Sequence, residues 1–150
     1  MSIKKITCCV DFSENAEAAF MTAIGMAGMS QAKLYVVHVL PLVVNPMVVD
    51  TEWILPEGPK ESMISDVKKR VQQEYGSKIP DEIDFELVVL EGHVSSKIIS
   101  FLEENGVDLV ITGSYGASGM GLVIFGSVAN RVARKAPCSV MIVREKGEKP

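Results

Sequence analysis

Short apolar runs alternate along the chain with longer segments in which apolar residues recur at helical spacing. Five runs predict strands, and their few polar interruptions are typical of a parallel sheet that is covered on both faces. Strands that alternate with helices indicate an α/β fold with three layers, a central parallel sheet between two layers of helices. The predicted strands span residues 3–10, 33–40, 85–90, 107–112 and 139–143.

Four segments with apolar residues on one face predict helices between these strands. Ser13 is expected to cap the first helix, and either Ser95 or Ser96 to cap the third. Gly106 supplies a C-terminal stop for the third helix, and Pro137 blocks continuation of the fourth. The predicted helices span residues 13 to about 29, 61–78, 95 or 96 to 106, and about 127–135.

Size and charge narrow the class of protein. The chain has 150 residues, enough for one domain with one core, in which residues 41–60 form an irregular insertion and residues 145–150 a frayed tail. The net charge is −4, and the 15 basic residues are spread along the chain, which argues against nucleic acid or an anionic membrane as the main partner. The first apolar run is too short for a signal peptide or a membrane span, so a cytoplasmic location is expected.

The three cysteines have no metal-ligand spacing, and their odd number does not suggest a disulfide framework. Cys8 and Cys9 are adjacent in a predicted strand, where successive side chains point to opposite faces. We expect Cys8, Cys9 and Cys138 to be buried reduced thiols, with a redox role as the alternative.

A second segment, besides the insertion at 41–60, fits neither a helix nor a strand. Residues 113–127 contain five glycines and no charged residue, and they connect the fourth strand to the N-terminus of the fourth helix. Ligands of open α/β sheets bind at this carboxyl edge, where glycine lets a ligand approach closely and free helix N–H groups suit phosphate. A merely flexible surface loop is the alternative. Neither the Walker A pattern nor the dinucleotide-binding glycine fingerprint is present.

The spacing of the glycines is more informative than their number. Gly113 and Gly116 are followed, after nine residues, by Gly126 and Ser127. This G-2x-G-9x-G-[S/T] pattern closely resembles that of the ATP-binding subgroup of the universal stress protein family. The resemblance extends from residue 3 to about residue 144 and includes the segments VDFSENA, VVHVL, LEGHVSSKIISF, NGVDLVITGSYG and FGSVANRVARKAPCSVMIVR.

The resemblance implies a Rossmann-like fold of the adenine nucleotide alpha hydrolase-like type, with an open five-stranded parallel sheet of order 3-2-1-4-5. It also implies a site for ATP or AMP, with Mg²⁺ or Mn²⁺ held mainly by the phosphates. Asp11 is expected at the adenosine end, the Val39 backbone at the adenine edge, and the glycine segment around the ribose and phosphates. The expected nucleotide-binding residues are Cys9, Val10, Asp11, Val39, Gly92, Gly113, Ser114, Gly116, Ala117, Ser118, Gly119, Gly126, Ser127, Val128 and Ala129.

Several of these polar residues have a structural alternative. Asp11 could cap the first helix in place of Ser13. His38 is expected to be a satisfied core or interface histidine, whereas His93 lies on the ligand edge, where contact with a phosphate is the alternative to a structural role.

The glycine segment departs from the family pattern after its second glycine. Ala117 and Ser118 stand where family members often have a basic or polar side chain, and Ala129 replaces a frequent hydroxyl. Neutralisation of the phosphates then depends on backbone N–H groups, the helix dipole and a divalent ion. A weaker hold on the terminal phosphate is therefore expected, so that AMP or ADP would compete well with ATP.

The resemblance implies a regulatory stress-response protein and not an enzyme. The family usually forms homodimers through the last strand, here residues 139–143, and an unknown protein partner is a further expectation. Nucleotide would act by changing the conformation of residues 41–60 or of the dimer. A slow ATP hydrolase is one alternative, although residues 113–127 contain no His, Glu or Lys to act on a phosphate. A scaffold that binds no nucleotide is the other, motivated by the apolar run LVVNPMVV.

Overall fold

The computed structural model describes residues 2–41, 61–114 and 126–145. Within these ranges five strands alternate with four α-helices. The strands are β1 (Lys5–Cys9), β2 (Lys33–Leu40), β3 (Phe85–Glu91), β4 (Leu109–Gly113) and β5 (Ser139–Val143). The helices are α1 (Glu14–Ser30), α2 (Glu61–Glu74), α3 (Val94–Glu104) and α4 (Ser127–Lys135), and a short 3₁₀ turn follows α2 at Gly76–Lys78.

The strands form one parallel sheet with the order β3-β2-β1-β4-β5, as predicted. The last residues of neighbouring strands pair with each other, Leu40 with Glu91 and Gly113 with Val143. All the carboxyl ends therefore lie along one edge. The chain builds the sheet outward from β1 in one direction and then returns to place β4 on the other side of β1. The strand order thus reverses between β1 and β4, which is where open α/β sheets bind ligands.

Two apolar cores cover the two faces of this sheet. On one face Ile6 packs under α1 and α2, together with the buried rings of Phe20 and Tyr75. On the opposite face Val110 packs with Leu102 of α3 and with residues of α4. The three layers predicted from the alternation of strands and helices are confirmed, as is the Rossmann-like sheet that the resemblance implies.

Two strands begin later than their apolar runs predict. β1 is shorter than the run over 3–10, and β4 is shorter at its start than the run over 107–112. A polar contact joins the starts of the two strands. The carboxylate of Asp108, the residue before β4, accepts hydrogen bonds from the backbone N–H groups of Lys4 and Lys5, at 2.9 and 3.0 Å. These two bonds lower the pKa of the Asp108 carboxyl and tie the start of β1 to the chain that enters β4.

The helix predicted over 61–78 is interrupted near its end. α2 stops before Tyr75, and the chain tightens into the 3₁₀ turn Gly76–Lys78. A Cβ atom on Gly76 would lie 2.9 Å from Leu87 Cδ1, so the glycine allows the backbone to approach β3 closely. The chain leaves the regular helix where it makes this approach.

The expected cap of α3 by Ser95 or Ser96 is wrong. His93 is the N-cap, because its Nδ1 accepts from the backbone N–H of Ser96 at 3.4 Å and lies 2.9 Å from the Ser96 hydroxyl oxygen. α3 consequently begins at Val94. Gly106 follows the end of the helix with φ of +59°, a left-handed conformation that agrees with its predicted role as a stop.

Two segments that were predicted to be irregular consist almost wholly of residues that the structure does not describe. Apart from Pro41 and Glu145, the insertion at 41–60 and the tail at 145–150 lie outside the described residues. In the ranges that are described, no helix combines the length and the apolar character that crossing a bilayer requires.

Candidate functional site

The turn between β1 and α1 places Asp11 at the carboxyl edge of the sheet. Ser13 is the N-cap of α1, since its hydroxyl accepts from the backbone N–H of Ala16 at 3.1 Å. The Asp11 carboxylate in turn accepts hydrogen bonds from both the N–H and the hydroxyl of Ser13. The alternative in which Asp11 replaces Ser13 as the cap is therefore wrong, although Asp11 does orient the capping residue.

Phe12, between these two residues, has an unusual backbone conformation. Its φ of +67° lies in the left-handed region, which bulky side chains rarely adopt. Its N–H donates to the hydroxyl of Tyr75 at 2.9 Å, and the guanidinium of Arg70 lies 3.8 Å from the centre of its ring. Burial raises the pKa of the Tyr75 hydroxyl, which therefore stays protonated. No local sequence pattern connects α2 to the end of β1, so this cluster was not predicted.

His38 is a satisfied core histidine, as predicted. Its ring is buried, its Nδ1 lies 2.8 Å from the carbonyl oxygen of Val10, and its centroid is 4.8 Å from that of Phe12. A carbonyl oxygen can only accept, so Nδ1 carries the proton in this contact. The histidine thus supports the same turn from within the sheet.

Three predicted site residues near the strand ends have core side chains. Val10 belongs to the core under α1 and α2, whereas Val39 and the half-buried Cys9 pack on the opposite face. Any contact of the two valines with a ligand must then come from their backbone. Burial raises the pKa of the Cys9 thiol to about 12, and negative charge at Asp11 and Cys138 adds to the shift.

The cysteines are free thiols, but the expectation that all three are buried is wrong for Cys9 and Cys138. Cys8 is buried, and Cys138, like Cys9, is half-buried. Burial also raises the pKa of Cys8 and Cys138, so all three thiols are protonated near neutral pH. No cluster of three or more His, Cys, Asp or Glu side chains suited to a metal ion occurs among the described residues.

The two ends of the glycine segment meet at the end of β4. The backbone N–H of Gly126 donates to the carbonyl oxygen of Ser114 at 2.6 Å, and Ser114 N–H donates to Val143 O at 3.1 Å. A Cβ atom on Gly113 would lie 2.8 Å from the backbone carbonyl carbon and oxygen of Asn15 in α1. The first glycine of the motif is therefore needed for packing against α1.

Four of the predicted nucleotide-binding residues lie within this segment but outside the described residues. They are Gly116, Ala117, Ser118 and Gly119.

A cleft of about 550 Å³ lies between the N-termini of α3 and α4. It contains three of the predicted residues, Gly92, Ser127 and Val128, whereas Ala129 is buried and does not line it. No acidic side chain is among the described residues that line the cleft. The lining residues are Pro41, Gly92, His93, Val94, Ser95, Ser127, Val128 and Arg131.

The cleft has the electrostatic character of an anion site. The N-cap of α4, Gly126, has no side chain that could cap the helix. Ser127 and Val128, at the positive end of the helix dipole, line the cleft, and the first N–H groups of a helix have no intrahelical acceptors. The guanidinium of Arg131, one turn into α4, adds a full positive charge. Arg131 was not predicted as a site residue, although its spacing of four residues from Ser127 places both on one face of the helix.

Gly92 joins the cleft to the sheet. Its N–H donates to the carbonyl oxygen of Leu40 at 2.9 Å, and its φ of +136° is accessible almost only to glycine. A Cβ atom on Gly92 would lie 2.7 Å from Cε of Lys97, whose exposed side chain passes over the glycine. His93 follows directly, and its ring nitrogen Nδ1 is engaged by the cap of α3.

Comparison with known proteins agrees with this architecture. The model of the Universal stress protein family matches residues 2–144. A universal stress protein of Methanocaldococcus jannaschii is 32% identical over 148 residues, which cover 95% of this chain and 82% of that protein.

Solved structures share the fold over nearly the whole chain. Universal stress protein UspA from Lactobacillus plantarum superimposes with a TM-score of 0.74 at 23% identity, covering 96% of this chain and 99% of that one. A universal stress protein from Archaeoglobus fulgidus, solved in complex with dAMP, gives a TM-score of 0.68 at 25% identity and covers 95% and 98%. The resemblance seen in the sequence is confirmed, and the chain belongs to the universal stress protein family.

Proposed function

We propose that this chain binds an adenine nucleotide, ATP or AMP, at the carboxyl edge of its sheet and acts as a regulatory protein of the stress response. One observation carries the proposal. At the carboxyl edge of the sheet, the N-termini of two helices and Arg131 meet in one cleft, and none of the described residues that line it is acidic. The dAMP complex of the Archaeoglobus fulgidus relative supports the same class of ligand.

The proposed pose places the phosphates in the cleft and the nucleoside toward β1. Backbone N–H groups of Ser127 and Val128 would donate to phosphate oxygens, and Gly92 would allow close approach from the β3 side. The Asp11 carboxylate would accept from the ribose or the adenine amino group. A Mg²⁺ or Mn²⁺ ion would be held mainly by the phosphates.

We also propose that Arg131 supplies a cation that the glycine segment lacks. The sequence offers Ala117 and Ser118 where relatives often have a basic or polar side chain. Arg131 is exposed and lines the cleft four residues after Ser127. A guanidinium that reaches a terminal phosphate strengthens ATP binding more than AMP binding. This proposal revises the expectation that backbone groups and a divalent ion alone hold the terminal phosphate.

The first experiment is direct. The purified protein is denatured, and the released material is assayed for adenine absorbance and phosphate content. Calorimetry with AMP and with ATP then measures both affinities. Bound adenine nucleotide, or binding that is lost in Gly126→Asp, is the expected result. The absence of both bound and bindable nucleotide would contradict the proposal and favour a scaffold.

A matched pair of variants tests the role of Arg131. Arg131→Gln should weaken ATP binding by about tenfold, the effect of losing one charged hydrogen bond, and AMP binding less. Arg134→Gln is the control, because Arg134 is an exposed arginine in the last turn of the same helix. It should change either affinity by less than about twofold. Equal effects of the two substitutions would show that only the general charge of the helix matters.

Other expectations from the sequence stay predictions. Steady ATP turnover that persists through further purification and vanishes in Gly126→Asp would favour the hydrolase. A homodimer through β5 is consistent with the position of that strand at the edge of the sheet, and sedimentation of the purified chain tests it. The cytoplasmic location and the protein partner also stay predictions.

A further inference from the structure

The β1–α1 turn holds a bulky residue in a conformation that it adopts only under constraint. Phe12 has φ of +67°, where a side chain with a Cβ atom is crowded against its own backbone. Asp11 precedes it and Ser13 follows it, and the two are hydrogen-bonded to each other. The direction of the Asp11 carboxylate therefore depends on the conformation of Phe12.

The constraint comes from a residue 63 positions away in sequence. The Tyr75 hydroxyl oxygen accepts the Phe12 N–H at 2.9 Å. Tyr75 is 1% exposed, and its ring packs edge-on against Phe20 at 4.9 Å and stacks on Phe12 at 5.7 Å. A side chain packed on both faces cannot follow the turn if it relaxes, so the hydrogen bond fixes the turn to the end of α2.

Further contacts join the same end of α2 to the turn and to the start of α1. The Arg70 guanidinium lies over the Phe12 ring at 3.8 Å. Lys78, just after α2, forms an ion pair with Glu17 in the first turn of α1 at 3.0 Å. The position of α2 and the conformation of the turn are therefore set together.

We infer that Tyr75 is a positioning residue for the nucleotide site, because it holds Phe12 in the left-handed conformation that orients Asp11 and Ser13. The inference rests on the proposed function, in which Asp11 contacts the nucleoside. It has a regulatory consequence. Nucleotide binding and the docking of α2 stabilise each other, and thermodynamic linkage requires the coupling to be reciprocal.

The test uses the full chain with AMP as the probe. Tyr75→Phe leaves the Phe12 N–H without its acceptor, and AMP binding measured by calorimetry should weaken by about tenfold. Tyr35→Phe is the matched control, since Tyr35 is also buried but packs on Phe101 at the opposite face of the sheet. The control should change AMP affinity by less than about twofold.

A second background separates positioning from general stability. Glycine adopts positive φ readily, so Phe12→Gly makes the turn independent of Tyr75. In that background Tyr75→Phe should change AMP affinity by less than about twofold. A tenfold loss in both backgrounds, or no loss in either, would overturn the inference whatever happens to the melting temperature.

Hydrogen exchange of the ligand-free protein tests the constraint on the turn without requiring that nucleotide binds. Tyr75→Phe should speed exchange of the Phe12 amide, whereas Tyr35→Phe should not. If the wild-type chain binds neither AMP nor ATP, the proposed function fails. The positioning of Asp11 for nucleotide then fails with it, while accelerated exchange would still establish the constraint on the turn. Unchanged exchange in Tyr75→Phe overturns the inference even if nucleotide binds.

A surface variant covers the case in which Tyr75→Phe does not fold. Arg70→Gln removes the cation over the Phe12 ring from a side chain that is 56% exposed, and should weaken AMP binding by about twofold. Glu74→Gln, which removes the ion pair of Arg70 at 3.3 Å but keeps the guanidinium, should leave the affinity unchanged. Equal affinities of the two variants would contradict the role of the α2 end.

Discussion

A methyl group at position 113 tests whether the first glycine of the motif serves packing as well as ligand binding. In Gly113→Ala the new Cβ would lie 2.8 Å from the backbone carbonyl carbon and oxygen of Asn15 and 3.0 Å from its Cβ. These atoms belong to the first turn of α1, so no side-chain rotation can relieve the contact. The end of β4 and the start of α1 must move apart.

The expected destabilisation follows from two opposing terms. An added methyl group in a well-packed region costs about 1–3 kcal/mol, and the upper half applies here because both partners are backbone. The lower entropy of alanine in the unfolded chain offsets about 0.4–1 kcal/mol. The free energy of unfolding should therefore fall by about 2 kcal/mol. In a chain of this size the melting temperature should fall by about 4–8 °C.

Urea unfolding and thermal melts of the ligand-free protein measure this change, with Gly25→Ala as the matched control. Gly25 lies inside α1 with nothing within 4 Å of an added Cβ, and alanine is the better helix former by about 0.8–1 kcal/mol. The two identical substitutions should thus shift stability in opposite directions. A Gly113→Ala protein that is as stable as the wild type would refute the packing argument and leave ligand binding as the reason for this glycine.

Three other predictions concern backbone strain, pH and thiol chemistry. Gly92→Ala should lower the free energy of unfolding in urea by about 2 kcal/mol, because position 92 has a positive φ. The same loss should be measured in a Lys97→Ala background. If the loss disappears there, crowding by the Lys97 side chain is its cause, and not the backbone conformation. Asp108→Asn should lower the melting temperature at neutral pH. Because folding lowers the pKa of Asp108 below 3.8, the stability that its carboxylate contributes is lost as pH falls from 3.8 through that lower value. A difference in melting temperature between wild type and variant that stays constant down to pH 2 would contradict this. At pH 8 iodoacetamide should alkylate Cys9 at least about 100-fold more slowly in the folded than in the urea-unfolded protein, and comparable rates would show that its pKa is not near 12.

The sequence predicted the order of the elements because apolar runs, helical spacing and end signals agree with one another. β2, β5 and α4 have the bounds expected from their patterns. The error at α3 has a specific cause. Serine is a preferred N-cap, which favours Ser95 and Ser96. His93 precedes both, and its ring nitrogen accepts the hydrogen bond from a backbone N–H that a serine hydroxyl would otherwise accept.

The candidate site was predicted only in part, because its support comes from distant segments. The contact of Tyr75 with Phe12 joins residues 63 positions apart, and no periodicity encodes such a pair. Gly113 illustrates the opposite difficulty. A glycine in a motif suggests a ligand, but this position also meets the backbone of α1, and a single sequence cannot separate the two reasons.

The hydrogen bond from Gly126 to Ser114 fastens both ends of the glycine segment at the end of β4. Both of its anchors are held at the sheet margin, so insertions or deletions between them need not disturb the register of any strand. Doubling the length of an anchored stretch costs only about 0.6 kcal/mol in chain entropy. The stability of the sheet therefore places only a weak limit on how long this stretch is.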